Sequence, residues 1–405
     1  MSALENAKKM NAEEIIEKIA ASGLIEFGVE RMPVAEKWKL VNAERDLQTN
    51  PIRVVCGLNN SDINGALLAI LKENPEKVME GMAIAALAVN AEEMFLVVPA
   101  SEEAYAAELS EKASAYGITV KCGLINRRES RGGAFHHIET MAALADIFAD
   151  CYEPCTYMAV CKDGKTGELV KVAYGTKVSD LVGDADVKAI AIGTKLYDAS
   201  ALEMVIEADT QIGNGVITVY DSKCCMIHEA EKVLLEERRQ SCGKCTFCRE
   251  GLIQLHTMTE EITKGQGKKE FPDMIAEIGE AMVFSTPCTM GQTASDFSLG
   301  TLKYFASEYE DHIKKKKCAV NVCNAFMTIY IDPNECQGCE ECADVCPAEA
   351  IEGKAGYIHM IDEFECTKCG KCLEVCENDA IIQTTGRVPK LPTRLTKCGK
   401  FKKKR

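Results

Sequence analysis

A multidomain α/β chain ending in a cysteine-rich module is predicted by three observations. Strand-like and helical segments alternate from residue 51 to 150, the signature of a parallel sheet with crossover helices. Residues 151–222 switch to hairpin-like strands around one short helix, a small β-grasp-like domain. The 22 cysteines concentrate in the second half, many only two residues apart, which is too close for a disulfide framework and suits metal ligation in a reducing compartment.

The elements follow in order. In "NAEEIIEKIAASG", Ala12, Ile15, Ile16, Ile19 and Ala20 share one helical face, Asn11 is a candidate N-cap with Glu14 three residues on, and Gly23 stops the helix. This helix and the arm after it occupy residues 1–50. In residues 51–150, the strands "IRVVC", "MFLVVP" and "ITVKC" alternate with the helices "GALLAILKE", "EKVMEGMAIAALAVNA" and "SEEAYAAELSEKASAYG"; a further helix begins near His136. In residues 151–222, "TYMAVCKDG" and "ELVKVAYG" read as a hairpin and "TKVSDLVG" as a short helix, while "VKAIAIG" and "GVITVYD" are strands that could return to the first sheet. Residues 223–311 are helical with two cysteine-bearing breaks, 312–327 form a linker, 328–388 a compact cysteine-rich domain, and 389–405 a loosely held basic tail.

Bulk properties exclude several classes. A net charge of -15 opposes nucleic-acid binding, which needs a basic face. The longest apolar runs, such as "MAIAALAV", fall far short of a membrane span, and the N-terminus has no apolar signal region. The expectation is a soluble cytoplasmic protein from an oxygen-avoiding cell, because exposed clusters and free thiols oxidise readily.

The strongest motif is "CQGCEECADVCP" paired with "CTKCGKCLEVCE". Each is C-x2-C-x2-C-x3-C, in which three cysteines wrap one [4Fe-4S] cluster and the fourth crosses to the other. That rule assigns Cys336, Cys339, Cys342 and Cys376 to one cluster, and Cys346, Cys366, Cys369 and Cys372 to the second. The pattern resembles the bacterial two-cluster ferredoxin module; Pro347 follows the family, whereas Glu377 replaces its second proline. A second motif, "SCGKCTFCREG", supplies Cys242, Cys245 and Cys248, with Cys288 forty residues later. By spacing alone, this set suits a [4Fe-4S] cluster or a four-thiolate zinc.

"SCGKCTFCREG", "EIIEKIAASGL", "EGMAIAALAV", "HHIETMAALADI", "YGTKVSDLV", "IGNGVITVYDSKCCM" and "YEDHIKKKKCAVNVC" all have counterparts in the NADH-oxidising flavoprotein subunit of respiratory complex I and of electron-bifurcating hydrogenases. The chain resembles that family over about residues 13–326. The resemblance implies an FMN-binding α/β domain, a β-grasp domain, and a helical-bundle domain in which Cys242, Cys245, Cys248 and Cys288 hold a third [4Fe-4S] cluster. The two-cluster ferredoxin module makes the arrangement more like the hydrogenase subunit.

The family's cofactor segments are degenerate here. Where it has a glycine-rich "RGRGGAGFPTG" before a Lys-Trp pair, this chain has "IEFGVERMPVA" before Glu36, Lys37 and Trp38; only Gly28 remains, and Glu26 and Glu30 would repel a phosphate. Where the family has "NADEGEPG", Asn59, Asn60 and Asp62 stand in "GLNNSDINGAL". The third segment, "GAGAYICGEETAL", is reduced to "CGLINRRESRGGAFHHIE", in which Gly132 and Gly133 are a relic or a turn, and Arg127, Arg128 and Arg131 are a solvated turn or phosphate partners. FMN and NADH sites therefore do not carry over. Of the remaining cysteines, Cys56 and Cys122 close strands as small hydrophobes, and Cys151, Cys155 and Cys161 lack a ligand spacing.

His312, Cys318 and Cys323, with Cys225 as a fourth ligand, make a sensible tetrahedral zinc set, and the resemblance implies zinc near this junction. The tail carries Lys390, Arg394, Lys397, Lys400, Lys402, Lys403, Lys404 and Arg405, which solubilise it or dock an acidic partner.

The functional expectation is an electron-transfer subunit of a flavin-based electron-bifurcating oxidoreductase, not catalytic alone and without its own FMN. Its partners would be an FAD-containing NAD(P)H-oxidising flavoprotein, ferredoxin and a [2Fe-2S] thioredoxin-like subunit. A transhydrogenase coupling NADPH, NAD and ferredoxin is the preferred complex. The alternatives are an FMN-containing NADH dehydrogenase subunit of a hydrogenase or formate dehydrogenase, and a redox-sensing structural subunit.

Overall fold

The computed structural model describes residues 2–47, 50–125, 132–385 and 388–401. It divides into two compact units: Met1–Cys224 with Ala230–Thr257 and Pro272–Phe305, and Cys225–Glu229 with Met258–Phe271 and Ala306–Arg405.

The first unit opens with α1 (Ala3–Ala7), α2 (Ala12–Ser22) and α3 (Val34–Ala43). In α2 the Asn11 side chain caps Glu14 N while Glu14 caps back, and Gly23 ends the helix in the left-handed region at φ 68°, where only glycine carries no Cβ penalty. Ile15, Ile16 and Ile19 are buried; Ala20, placed on the same face by periodicity, is exposed. The sheet that follows contains β1 (Arg53–Gly57), then α4 (Leu68–Glu73), α5 (Pro75–Val89), β2 (Glu93–Val98), α6 (Glu103–Ser114), β3 (Ile118–Cys122), β4 (Ala134–His137) and α7 (Ile138–Phe148). Strand order is β3-β2-β1-β4, all parallel. α5 and α7 pack on a core that includes Met79, Met82, Met141, Leu144 and Phe148. The helix expected near His136 begins two residues later, because Ala134–His137 pair with β1 as a strand. Gly133 fits that edge: a Cβ there would lie 2.1 Å from the Arg53 carbonyl oxygen.

A second sheet contains β5 (Cys155–Lys162), β6 (Lys165–Thr166), β7 (Val170–Ala173), then α8 (Val178–Val182), β8 (Ala189–Ile192), β9 (Lys195–Asp198) and β10 (Val216–Tyr220). Its order is β6-β5-β10-β8-β9, with β7 on β5. The strands "VKAIAIG" and "GVITVYD" do not return to the first sheet; β10 lies between β5 and β8. Ile190, Ile192 and Ile217 pack with Val172, Val178 and Ile206 into a separate core for this sheet.

The helical stretch comprises α9 (Met226–Gln240), α10 (Thr246–Thr263), α11 (Phe271–Ser285), α12 (Thr289–Thr293), α13 (Asp296–Tyr304) and α14 (Ala306–Ile313). No described helix is long and apolar enough to cross a membrane. In the second unit, β11 (Thr328–Ile331), α15 (Glu341–Asp344), β12 (Ile351–Glu352), β13 (Met360–Ile361), α16 (Lys371–Val375) and β14 (Ile381–Thr384) include two two-stranded sheets, β11-β14 and β12-β13. The described part of the terminal segment is held rather than loose: Ile358 N donates to Thr396 O, Cys398 N donates to Gly356 O, and Tyr357 forms a β-bridge with Lys397. Arg127, Arg128, Arg131 and residues 402–405 lie outside the described residues.

Candidate metal centres and a buried carboxylate network

The eight ferredoxin-type cysteines separate into two cavities. One is lined by Cys336, Cys339, Cys342 and Cys376, with Ile331 and Ile381. The other is lined by Cys346, Cys366, Cys369 and Cys372, with Ile329 and Ile351. The crosswise grouping arises because α15 and α16 pack side by side, so the cysteine closing each motif faces its neighbour's cavity. Burial pushes the Cys342 thiol up to about 12, and Cys336, Cys339, Cys372 and Cys376 add to this. Burial and the neighbouring cysteines disfavour ionisation of this thiol in an apolar pocket, a cost that a bound cationic centre would relieve. Backbone amides aim at two of the sulfurs, Ala350 N to Cys346 Sγ at 3.3 Å and Lys368 N to Cys366 Sγ at 3.4 Å; such bonds tune a bound metal.

Cys242, Cys245 and Cys288 lie near enough to act on the Cys248 thiol. Cys245 immediately precedes α10, Cys248 lies in its first turn, and Cys288 precedes α12. Burial raises the Cys248 thiol; the Ser241 hydroxyl, 3.4 Å away, opposes this, and Cys288, Cys245 and Cys242 reinforce it. The donor set fits a four-thiolate centre.

The fourth site is the tightest. One ligand atom from each of Cys225, His312, Cys318 and Cys323 lies within 4.8 Å of the others, and all four residues are buried. His312 Nδ1 donates to Glu308 O at 2.8 Å, which leaves Nε2 facing Cys225 Sγ and Cys323 Sγ, each at 3.4 Å. This arrangement, in which the second ring nitrogen is fixed by a carbonyl, is what metal-ligating histidines use. Burial alone would lower the imidazole, but hydrogen bonds to Cys225 and Cys318 push it up to about 10; the pocket favours positive charge. Among the described residues, Cys56, Cys122, Cys151, Cys155 and Cys161 join no metal cluster of this kind. Cys56 is buried, whereas Cys122 is exposed rather than a core hydrophobe, since it closes the edge strand β3.

Where the sequence resembles a flavin-phosphate loop, the structure holds a buried carboxylate. Glu26, 1 % exposed, accepts hydrogen bonds from Lys37 Nζ at 3.2 Å, His137 N at 2.8 Å and Thr140 Oγ1 at 2.6 Å, and contacts His136 Nδ1 at 2.5 Å. Trp38 Nε1 donates to His136 Nε2 at 2.9 Å, and Glu30 also holds Lys37, at 2.7 Å. Burial would raise the Glu26 carboxyl, but Lys37 and His136 outweigh it and hold it well below the usual carboxylate range. Gly28, at φ 78°, has Asn59 Nδ2 1.9 Å from where a Cβ would sit. The close approach that a glycine permits is thus used by the protein's own side chain.

A cavity of about 480 Å³ remains beside the C-terminal ends of β1, β2 and β3, lined by Asn59, Asn60, Asp62, Ser101 and Glu102 among others, with no lysine or arginine among its described lining residues. Asn60 clamps its walls: its side chain exchanges two hydrogen bonds with the Ile125 backbone, and its backbone N–H donates to Thr289 Oγ1, next to Cys288. Asp62 accepts from Asn59 N at 3.1 Å and meets His137 Nε2 at 3.2 Å. Among the described lining residues, none offers a flavin phosphate a cationic side chain.

Two cysteine-lined cavities, a third cysteine set beside an α/β cleft and a β-grasp-like sheet define a multidomain α/β chain equipped with thiol sets suited to iron–sulfur ligation. Residues 229–312 match the NADH-ubiquinone oxidoreductase-F iron-sulfur binding region and residues 328–377 the 4Fe-4S dicluster domain. The chain is homologous to the NADP-reducing hydrogenase subunit HndC of Solidesulfovibrio fructosivorans, 27% identical over 85% of each chain. It is also similar to the mitochondrial 51 kDa subunit of NADH-ubiquinone oxidoreductase from Neurospora crassa, 28% identical over 30% of this chain and 24% of that one. In fold it matches a chain of the NAD+-reducing [NiFe]-hydrogenase in the H2-reduced state (TM-score 0.64, 18% identity), with 77% of this chain covering 64% of that one.

Sequence reasoning missed the Glu26 network and the burial of His359 beside one cysteine cavity. Glu26 offered only its charge as a signal. His359 had none, being a single residue outside any ligand spacing.

Proposed function

We propose that the chain is an iron–sulfur electron-transfer subunit of a flavin-based bifurcating oxidoreductase. In this reading, Cys242, Cys245, Cys248 and Cys288 hold one [4Fe-4S] cluster, and the ferredoxin-type cysteines hold two more in the crosswise sets above. Bound clusters would supply one-electron carriers; the protein's part is to hold the thiolates, one buried cysteine in each set (Cys248, Cys342 and Cys372) anchoring its group. Cys225, His312, Cys318 and Cys323 hold a structural zinc. Electrons pass between a partner flavoprotein that uses NAD(P)H and a low-potential acceptor such as ferredoxin, and a NADPH/NAD/ferredoxin transhydrogenase is the complex favoured.

The observation that carries this reading is the gathering of Cys242, Cys245, Cys248 and Cys288 in the same unit as a cofactor-type loop that Glu26 fills from within. It supports a chain that conducts electrons and leaves nicotinamide and flavin chemistry to its partner. A cofactor census of the purified chain tests it: about twelve irons from three cubanes, one zinc, no FMN, and no bleaching of the clusters by NADH until the partner is added. Stoichiometric FMN with rapid bleaching by the isolated chain would overturn it in favour of an NADH dehydrogenase.

A further inference from the structure

The two ferredoxin-type cavities differ in one buried group. His359, 2 % exposed, lines the cavity of Cys336, Cys339, Cys342 and Cys376, and its Nε2 is buried without a hydrogen-bond partner in the protein. No histidine is among the described residues lining the twin cavity. The ring's place is built: an added Cβ on Gly353 would lie 2.3–2.6 Å from the His359 Cδ2, Cγ and Nε2 atoms, so a side chain there would displace the imidazole. A buried, unpaired ring nitrogen costs free energy comparable to a lost hydrogen bond. The polar side chains of the same cavity, Gln337, Glu341 and Asn378, leave that nitrogen unpaired. The acceptors that four convergent cysteines would bring into this space are the sulfurs of a bound cluster.

We propose that His359 is a positioning residue for electron transfer: its Nε2–H donates a hydrogen bond to the cluster held by Cys336, Cys339, Cys342 and Cys376 and raises that cluster's reduction potential. The bond strengthens when the cluster gains an electron and its sulfurs become more negative, so the reduced state is favoured. The assignment rests on the clusters of the proposed function being present, and it adds an asymmetry between them that the cysteine spacing does not contain.

The test is an EPR-monitored redox titration of the full-length, cluster-loaded chain, with iron measured first. In His359→Leu, one titration wave moves to lower potential and the others stay. The expected size is about tenfold in the reduced-to-oxidised ratio, the worth of a hydrogen bond to a charged acceptor, or ~59 mV for one electron. His359→Gln, which keeps an N–H donor, restores most of the shift. In wild-type protein labelled with 15N-histidine, pulsed EPR finds a nitrogen coupling on one reduced cluster, absent from His359→Leu. If His359→Leu does not hold its iron, Gly353→Ala, which keeps the imidazole and moves it, replaces it with the same downward displacement expected. Unmoved potentials with full iron content overturn the role of His359 and leave the cluster assignment standing. Waves that all move together, or no recovery in His359→Gln, overturn it too. Protein without iron at these cysteines removes both readings.

Discussion

Replacing Glu26 by glutamine tests whether the loop after α2 is held by an internal anion. The carboxylate takes Lys37, His136, His137 N and Thr140 in a space with 1 % exposure. Glutamine keeps the volume but turns one of the two oxygens into a donor, which must face either Lys37 and His136 or His137 N and Thr140. Breaking a buried ion pair from one side costs about 3–5 kcal/mol. Because Glu30 still reaches Lys37 at 2.7 Å, the lysine is not orphaned, and the lower end, about 3 kcal/mol, is expected. The assay is denaturant unfolding followed by fluorescence of Trp38, the chain's one tryptophan, which is fully buried and bonded to His136 in the same network. It reports the first unit selectively, which matters in a chain of two units. The midpoint should fall at unchanged m-value. Glu30, whose side chain is 37% exposed, should cost under about 1 kcal/mol as Glu30→Gln. An unchanged midpoint for Glu26→Gln would refute the reasoning, since buried donors would then have lost their acceptor at no cost.

Other perturbations probe the remaining sites. Burial raises the Glu139 carboxyl to about 7 against the unfolded value of 4.5, so the folded state holds the proton more tightly; the stability this gives is full below about pH 4.5 and is lost as pH rises through 7, about 3 kcal/mol in all. Glu139→Gln should flatten that slope in Trp38-monitored unfolding between about pH 5 and 8, and an identical slope in the variant would rule the linkage out. Cys225→Ser should remove one zinc equivalent by metal analysis while iron stays constant; retained zinc would exclude Cys225 as a ligand. Truncation after Leu395 removes the hydrogen bonds of Thr396 and Cys398 to Ile358 and Gly356 and should speed oxygen bleaching of part of the iron–sulfur absorbance several-fold; unchanged bleaching would show that the strap protects no cluster.

Periodicity and spacing carried much of this architecture, for reasons visible in single residues. Asn11, Glu14 and Gly23 are local signals whose geometry depends on a few neighbouring atoms, so the helix they bracket could be read with its caps. The ferredoxin-type cysteines are likewise constrained by short loops, and their crosswise cavities follow the spacing. What stayed hidden depended on contacts distant in sequence. Strands β8 and β10 carried no mark of which sheet they join, because the pairing of β10 with β5 is decided by packing. The tail's basic composition suggested a loosely held segment, yet backbone groups of Thr396 and Cys398 find Ile358 and Gly356. Glu26 looked like a charge on a loop, and only the fold brings His136, 110 positions away, against it.

The Glu26 network also changes how ligand and stability are linked. A phosphate held by glycine-loop amides is exchangeable, and a flavin that binds only the folded state stabilises it by about 2.7 kcal/mol at a hundredfold excess over Kd. Here the anion is part of the chain. A flavin phosphate entering this loop would have to displace a buried carboxylate from Lys37 and then sit beside both Glu26 and Glu30, while Asn59 fills the space at Gly28. Added FMN should therefore leave the Trp38 unfolding midpoint where it is, whereas Glu26→Gln lowers it without making it FMN-dependent, because Asn59 and Glu30 remain. A rise in the wild-type midpoint with FMN concentration would mean that the flavin binds through contacts other than this loop, and the chain would then carry its own two-electron cofactor.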